Sequence, residues 1–465
     1  MSKVLASTNP YIPNSTTRAK EEMLRTIGIQ DIDSLFSAIP SELKLNRLLN
    51  LPEPYQSEYE LQKHVTKILD KNTSTNERLS FLGSGCYQHF VPAVCDEINS
   101  RNEFLTAYSG KAYEDHGRWQ ALFEYTSLMA ELLNMDVVNL PTYDGLQAAA
   151  TAMRMAANIS GRKEIILAKA IQPDKLSKIM EYNRHLLTFK FINFDPLTGG
   201  MDLSQLEQSL SSDTAAIYFD NPNFFGVIES NAGEICSLAH QHGALAIVGA
   251  DPISLGILKP PADYGADIAC GDIQSLGIHM QFGGGHAGYI ASRDEEKFVR
   301  EYPNRIVGIL PTREEGEYGF GEVAFRRTSF EARESGKEWL GTMANLWAIT
   351  AGVYLALMGP QGMQEVGQTI TERVNYAMRA LSSIDSISLQ FPQAAHFREF
   401  VVDFSRTKKS VKEINRDLLE RGIFGGLDIS AVFPQFQNHA VYCVTEVHTK
   451  EDIDDLARNL AEVLS

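Results

Sequence analysis

The alternation of short apolar runs with helical segments, between about residues 160 and 250, limits the possible fold of this chain most strongly. The runs EIILA, LLTFKFI, AAIYF and ALAIVGA are short, and the stretches between them, such as NAGEICSLAHQHG, have helical patterning. Short apolar runs spaced by helices predict βαβ units and a mostly parallel sheet that is buried on both faces. The predicted fold class is therefore α/β.

The segments on either side predict two further parts. The first ~75 residues are helix-prone and broken at AIPSE and LPEPYQ, which is typical of a helical arm. RWQALFEYTSLMAELLNM predicts an amphipathic helix, and from about residue 350 a long apolar helix leads to REFVVDF, a helix, AVYCVT and a last helix. We therefore predict an N-terminal helical arm (residues 1–75), a large α/β domain (76–345) and a small C-terminal α+β domain (346–465).

Composition argues against several classes of protein. The chain has 42 basic and 59 acidic side chains, and its formal charge of −17 repels nucleic-acid phosphates. No apolar run reaches the ~20 residues that cross a bilayer, and the first residues lack the apolar core of a signal peptide, so we expect a cytoplasmic protein without membrane association. The five scattered cysteines contain no CxxC pair, which argues against a disulfide framework and a cysteine-rich zinc site.

Polar residues at predicted strand ends are the first candidates for a site, because ligands of parallel α/β sheets bind at the carboxyl ends of the strands. They are Asp144-Gly145, Asn221-Pro222-Asn223 and Asp251-Pro252. Asp251 has two interpretations. It pairs with a protonated pyridine nitrogen of a cofactor, or it caps a turn or a helix start.

The stretch GADIACGDIQSLGIHMQFGGGHAGYIA lies where many α/β enzymes carry a lysine that binds pyridoxal phosphate (PLP), yet no lysine occurs from Pro260 to Glu296. Its GGGHAG matches the dinucleotide pattern GxGxxG, but the following YIASR predicts a strand, which favours a turn between strands. In GSGCYQHF, Cys86 and His89 form either a catalytic pair or a loop thiol and an imidazole held by backbone groups. His240 and His242 at a predicted helix end are a weak signal for a metal, and no metal site is expected.

Longer motifs identify a family. NLPEPYQSEYELQKHV, FLGSGCYQHFVPAV, RNEFLTAY, NPNFFGVIE, DPISLGILKPPADYGADI, YLALMGPQGM and TEVHTKEDID resemble the P-protein of the glycine cleavage system, in the form of subunit 1 of a two-subunit glycine decarboxylase. The resemblance covers about residues 10 to 460. It implies the fold of the type-I PLP-dependent transferases, similar to aspartate aminotransferase.

The resemblance also implies a reaction and its partners. Subunit 2 of the family carries PLP on a lysine, and the two subunits decarboxylate glycine and pass the aminomethyl group to lipoylated H-protein. The family's lysine falls on Ser275 of this chain, and the histidine before it on Gln274. The resemblance therefore implies that this chain binds no PLP covalently, and that Asp251, Asp144 and Gly145 are vestiges of a cofactor site.

The same resemblance provides candidate catalytic residues at a site shared with the partner, namely Tyr87, His89 and Tyr108. His89 is a candidate proton relay, and packing with loop hydrogen bonds is its alternative role. A scaffold pseudoenzyme that lends no catalytic residue is a second hypothesis. A self-sufficient enzyme that holds PLP or another cofactor without a covalent bond is a third.

Three segments depart from the family pattern. TAYSGKAYEDHGRW replaces a TAYTPYQPE-like loop, NLPTYDGLQ replaces a NASMYDGAT-like segment, and RESGKEWLGT replaces a REKATSNICT-like segment. The new residues are Lys111, Asp115, His116, Arg118, Trp119, Lys337 and Trp339. Trp119 and Trp339, together with Lys111 and Lys337, are able to reshape a pocket for glycine. Drift in a loop explains the change equally simply. The alternative is a divergent paralogue that acts with a PLP-bearing partner on another amino acid.

Overall fold

The structure, a computed structural model, describes residues 12–13, 15–47, 49–104, 117–335, 338, 340 and 344–465. The chain divides into two units, Met1–Thr73 and Ser74–Ser465. In the first unit, α1 (Thr17–Ile27) and α2 (Glu58–Leu69) each begin after a hydroxyl side chain that accepts a hydrogen bond from a backbone N–H of the first turn. The helical prediction for this segment is confirmed, and none of its described residues is buried.

Ser74–Ser465 contains the other helices and the strands of the described residues. The helices are α3 (Ala93–Asn99), α4 (Gly117–Leu133), α5 (Gly145–Ser160), α6 (Pro173–Tyr182), α7 (Leu203–Ser209), α8 (Ala232–Gln241), α9 (Glu296–Val299), α10 (Asn345–Ser382), α11 (Val411–Glu420) and α12 (Lys450–Leu464). The strands are β1 (Leu79–Ser80), β2 (Val137–Val138), β3 (Glu164–Ala168), β4 (Thr188–Ile192), β5 (Thr214–Asn221), β6 (Leu245–Ala250), β7 (Ile268–Asp272), β8 (Gly288–Ser292), β9 (Val307–Pro311), β10 (Tyr318–Glu322), β11 (Ser388–Leu389), β12 (Glu399–Asp403), β13 (Ile423–Phe424), β14 (Leu427–Asp428) and β15 (His439–Cys443).

The main sheet has the strand order β2-β8-β7-β6-β5-β3-β4. From β7 to β4 all neighbouring strands are parallel, whereas β8 is antiparallel to both β7 and β2. The mostly parallel α/β sheet predicted from the apolar runs is therefore confirmed. The stretch YIASR lies on β8, so GGGHAG connects two strands and is not followed by a helix, as predicted.

Helices cover the sheet on both faces, so alternate residues of one strand enter different cores. On β5, Ile217 and Phe219 pack in the core that contains Leu122 of α4, whereas Ala216 and Tyr218 pack in the core formed with α5. All residues of β5 are buried, which explains its nearly continuous apolar sequence. The helix predicted at RWQALFEYTSLMAELLNM is confirmed as α4, with Trp119, Leu122, Met129 and Leu133 buried in the core.

A four-stranded antiparallel sheet, in the order β11-β12-β15-β14, follows α10 in the described chain. α10 contains a break at Gly359 and Pro360, where the backbone leaves the helical conformation. A cluster of aromatic rings joins this part to the segment after β5 and the loop after β4: the partly buried Phe194 and the buried Phe224, Phe225, Phe391, Phe433 and Phe436. Among the described helices, none is long and apolar enough to cross a membrane.

Candidate functional site

A cavity of about 120 Å³ lies at the carboxyl ends of the central parallel strands. Asp220 near the end of β5, Asp251 directly after β6 and Asp272 at the end of β7 line it. Parallel strands end at one edge of a sheet, and their loops leave a crevice there. The cavity therefore lies where the sequence predicts a site.

Lys175 of α6 is held by Asp220. Its Nζ lies 2.9 Å from Asp220 Oδ1, and the hydroxyl of Tyr218 donates to the same oxygen at 2.6 Å. Burial opposes the charge of this lysine, but Asp220 outweighs burial and raises the pKa of Lys175 above its usual value. A Cβ on Gly249 would lie 2.0 Å from Asp220 Oδ1, so a larger residue at this position would displace the Asp220 carboxylate. Lys175 is therefore a buried ammonium group with a fixed partner.

Asp251 pairs with Arg398, which directly precedes β12. Arg398 Nη1 lies 2.5 Å from Asp251 Oδ2, and the guanidinium carbon lies 4.0 Å from the centre of the Tyr87 ring. The arginine is 2% exposed, and its burial opposes its charge, yet Asp251 raises the pKa of Arg398 above the usual value. Asp251 Oδ1 also accepts a hydrogen bond from Ile253 N at 2.9 Å, so the turn-capping interpretation of this residue is confirmed.

Glu399, the next residue, holds the loop that carries Tyr87. Its two carboxylate oxygens accept from Ser84 N at 2.6 Å and from the Tyr87 hydroxyl at 3.1 Å. Burial, with a contribution from Asp251, raises the pKa of Glu399 to about 7 although Arg398 opposes the rise. The carboxyl group therefore titrates near neutral pH.

The N-terminus of α5 reaches the same cavity and is occupied by carboxylates. Asp144 caps the helix by accepting from Gln147 N at 2.6 Å, and Gly145 N donates to Asp272 Oδ2 at 2.7 Å. Asp272 also lies 3.2 Å from His286 Nδ1, and contacts with Asp272 and Cys86 raise the pKa of His286 to about 10.

Ser275 and Gln274 follow β7 and line the cavity. Ser275 is 4% exposed. Gln274 holds the backbone of Tyr87 at both polar groups, since Tyr87 N donates to its Oε1 at 2.9 Å and its Nε2 donates to Tyr87 O at 3.0 Å. Gln274 thus fixes the loop that carries Tyr87, and Ser275, the next residue, forms part of the cavity wall.

His89 lies outside the residues that line the cavity and forms a separate pair with Glu446. The His89 Nδ1 and Glu446 Oε2 atoms are 2.6 Å apart, and Phe90 N donates to the other carboxylate oxygen at 2.8 Å. Burial favours the neutral acid, but His89 and these hydrogen bonds outweigh it and hold the pKa of Glu446 at about 2. His89 Nε2 is buried and has no hydrogen-bond partner among the described residues.

The structure brings together most of the residues selected from the sequence, and these line the cavity: Tyr87, Gly145, Pro222, Asn223, Asp251, Pro252, Gln274 and Ser275. Asp144 is a helix cap next to it, and His89 lies elsewhere. Trp119 is buried in the core and does not line this cavity. The remaining candidates lie outside the described residues: Tyr108, Lys111, Asp115, His116, Lys337 and Trp339.

Five charged residues that line the cavity are not predicted as site residues from the sequence: Lys175, Asp220, Asp272, Arg398 and Glu399. Asp220 was detectable, because it ends the apolar run AAIYF as Asp251 follows ALAIVGA. Arg398 and Glu399 come from a distant part of the chain, and their segment REFVVDF predicts only a strand. His240 and His242 lie at the end of α8, where His240 pairs with Asp267. Within the described residues no group of three or more metal-ligating side chains occurs.

Comparison with known proteins gives a consistent result. Residues 9–460 match the family model of the glycine cleavage system P-protein. A protein of Staphylothermus marinus named probable glycine dehydrogenase (decarboxylating) subunit 1 is 38% identical, over 98% of each chain. The crystal structure of an inhibitor-bound glycine decarboxylase (P-protein) of the glycine cleavage system is 32% identical, with a TM-score of 0.84 over 98% of this chain and 100% of that one. A sphingosine-1-phosphate lyase of Burkholderia pseudomallei, 15% identical over 91% of this chain and 94% of its own, shares the fold with a TM-score of 0.64.

Proposed function

Because this chain belongs to the glycine cleavage system P-protein family, we propose that it is the PLP-free subunit 1 of a two-subunit glycine decarboxylase. With a PLP-bearing subunit 2 it decarboxylates glycine and transfers the aminomethyl group to lipoylated H-protein, as a glycine dehydrogenase (aminomethyl-transferring) in the cytoplasm. The full-length similarity to proteins named subunit 1 is the observation that carries this proposal.

The chemistry of the cavity supports the assignment of PLP to the partner. Ser275 occupies the position that the family resemblance assigns to the cofactor lysine, and a hydroxyl group cannot form an imine. The cavity is lined by one lysine within the described residues, Lys175, and Asp220 keeps it in the charged form that cannot attack an aldehyde. PLP supplies an electron sink for decarboxylation when it is bound, and here that ring belongs to subunit 2.

The exposed apolar side chains of the first unit support the proposal of an obligate partner. Its helices carry apolar side chains that are exposed, on α1 Met23 and Ile27, and on α2 Tyr59, Leu61, Val65, Ile68 and Leu69. Exposed apolar surface of this kind is a common mark of a protein interface. We propose that this surface binds the second subunit.

His89 is our candidate for the contribution of this chain to the chemistry. Glu446 binds its Nδ1, which fixes the ring and, in the neutral tautomer with a proton on Nδ1, leaves Nε2 as a proton acceptor. A buried and unpaired ring nitrogen is costly in a folded protein, and a group from the partner or from the substrate satisfies it in the complex. We propose that Tyr87 and Tyr108 complete the shared site, with Tyr87 held in place by Glu399.

Reconstitution tests the proposal. The full chain, a PLP-bearing subunit 2 and lipoylated H-protein are mixed, and the exchange of bicarbonate into the glycine carboxyl group is measured. We expect exchange only when both subunits are present, and a loss of about 100-fold or more in kcat for His89→Gln, because a general acid or base contributes on this scale. His185→Ala, an exposed histidine on another loop, is the control.

The outcomes separate the alternatives. Unchanged turnover with intact assembly for His89→Gln and Tyr87→Phe identifies a scaffold subunit. No exchange with glycine, but loss of carbon dioxide from another small amino acid, identifies a divergent paralogue. Absence of any stable complex between the two chains contradicts the proposed function itself.

A further inference from the structure

A cavity of this fold that accepts a phosphorylated pyridine ring needs three elements besides space. It needs an acid at the ring nitrogen, an anion site for the phosphate, which helix N-termini commonly provide, and an amine for the aldehyde. The side chains that line the present cavity occupy the first two elements. At the third, Ser275 stands in the position of the lysine, and Lys175 is held as an ammonium group by Asp220. This goes beyond the loss of the lysine, because a lysine-free pocket with the other elements intact still holds the ring without a covalent bond.

The acid that would face the ring nitrogen, Asp251, already has an ion-pair partner. Asp251 stands where a parallel strand ends, and the cation opposite it is the guanidinium group of Arg398, 2.5 Å away. This planar cation stacks on Tyr87 at 4.0 Å, which is the contact that a cationic aromatic ring would make in the same place. Arg398 is 2% exposed, so it fills buried space.

Carboxylate groups also occupy the N-terminus of α5, the helix end at the cavity that could bind a phosphate. At the N-terminus of α5, two of the first three N–H groups donate to carboxylates, Gly145 N to Asp272 and Gln147 N to Asp144. A phosphate dianion at this helix end would meet these two negative groups. A Cβ on Gly145 would lie 2.8 Å from the Asp272 Cβ, so the two segments are in direct contact.

We propose that this cavity is closed to PLP by its own side chains, with the Arg398 guanidinium in place of the pyridine ring and the Asp272 carboxylate in place of the phosphate. The same part of the cavity wall holds the loop that carries Tyr87, through the stacking of Arg398, the two hydrogen bonds of Gln274 with the Tyr87 backbone, and the hydrogen bonds of Glu399. The proposal concerns this chain alone and does not depend on the reaction assigned to the complex.

Binding of 4-deoxypyridoxine phosphate tests it, because this PLP analogue lacks the aldehyde and forms no imine with surface lysines. Its affinity for the full chain and for Arg398→Ala is measured by equilibrium dialysis, and the melting temperature is recorded with and without it. We expect no measurable binding to the wild-type chain, and a gain of about tenfold or more in affinity for the variant, with a ligand-dependent rise in melting temperature. Arg406→Ala, an exposed arginine of the same part of the chain, is the control and is expected to behave as wild type.

Arg398→Met retains more side-chain volume and replaces the alanine variant where that variant does not fold. Asp272→Asn, combined with either variant, is expected to tighten binding of the phosphorylated analogue but not of phosphate-free 4-deoxypyridoxine. Binding to the wild-type chain as tight as to the variants would overturn the proposal, and so would the absence of binding to every folded variant. Both results are read from the isolated chain, so they are distinct from a failure of glycine–bicarbonate exchange in the reconstituted complex.

Discussion

Replacement of Glu399 by glutamine is expected to change the pH dependence of stability. Glu399 is 5% exposed, and burial raises its pKa to about 7 from the ordinary 4.5. Glutamine has the same shape and keeps both contacts, since its oxygen accepts from Ser84 N and its amide donates to the oxygen of Tyr87. The substitution therefore removes the titration and little else.

The size of the effect follows from the pKa. A carboxyl group whose pKa is higher in the folded state binds its proton more tightly there, so its favourable contribution is fully present below about pH 4.5 and is lost as the pH rises through about 7. A rise from 4.5 to about 7 corresponds to a total loss of about 3 kcal/mol. By linkage, about 1.5 kcal/mol of this loss falls between pH 6 and pH 9.

Urea unfolding at these two pH values measures the effect. The free energy of unfolding of Glu399→Gln minus that of the wild type is expected to increase by about 1.5 kcal/mol from pH 6 to pH 9, because the other titrating groups are common to both proteins. Glu207→Gln, an exposed glutamate on α7, is the control, and its difference from wild type is expected to stay constant. A constant difference for Glu399→Gln as well would refute the argument from burial, and a decrease would show that Arg398 dominates the environment of Glu399.

Three further results are expected from urea unfolding of the full chain. Asp251→Asn leaves the buried Arg398 cation without its partner and is expected to cost about 3–5 kcal/mol, most of which Asp251→Asn/Arg398→Met recovers; equal losses for both variants would contradict this. Glu446→Gln is expected to cost about 3 kcal/mol at pH 7, since a pKa lowered to about 2 gives stability above about pH 4.5 that disappears as the pH falls towards 2; a cost that does not change with pH would refute it. Phe225→Ala removes the ring in contact with Phe194, Phe391, Phe433 and Phe436 and is expected to cost about 3–5 kcal/mol, whereas a cost under about 1 kcal/mol would mean that the cluster refills the space.

The layout of the main sheet follows from local sequence. The run EIILA is β3, and LLTFKFI, AAIYF and ALAIVGA contain or lie within β4, β5 and β6. These strands are readable because a strand covered on both faces needs apolar side chains at almost every position. The stretch YIASR likewise indicates β8, but the two-residue strand β2 is less readable, because so short a strand pairs through backbone groups that carry no sequence signal.

The sequence by itself determined the family, the absence of a lysine around Ser275 and the acids at the strand ends, because these are properties of contiguous residues. Only the tertiary structure decided which distant side chains meet at the edge of the sheet. Arg398 pairs with Asp251, and the neighbouring Glu399 accepts a hydrogen bond from Ser84 N. Such contacts depend on how the chain returns to this edge of the sheet. The physical reason is that periodicity records burial and local conformation, whereas a buried ion pair is set by the three-dimensional path of two separate segments.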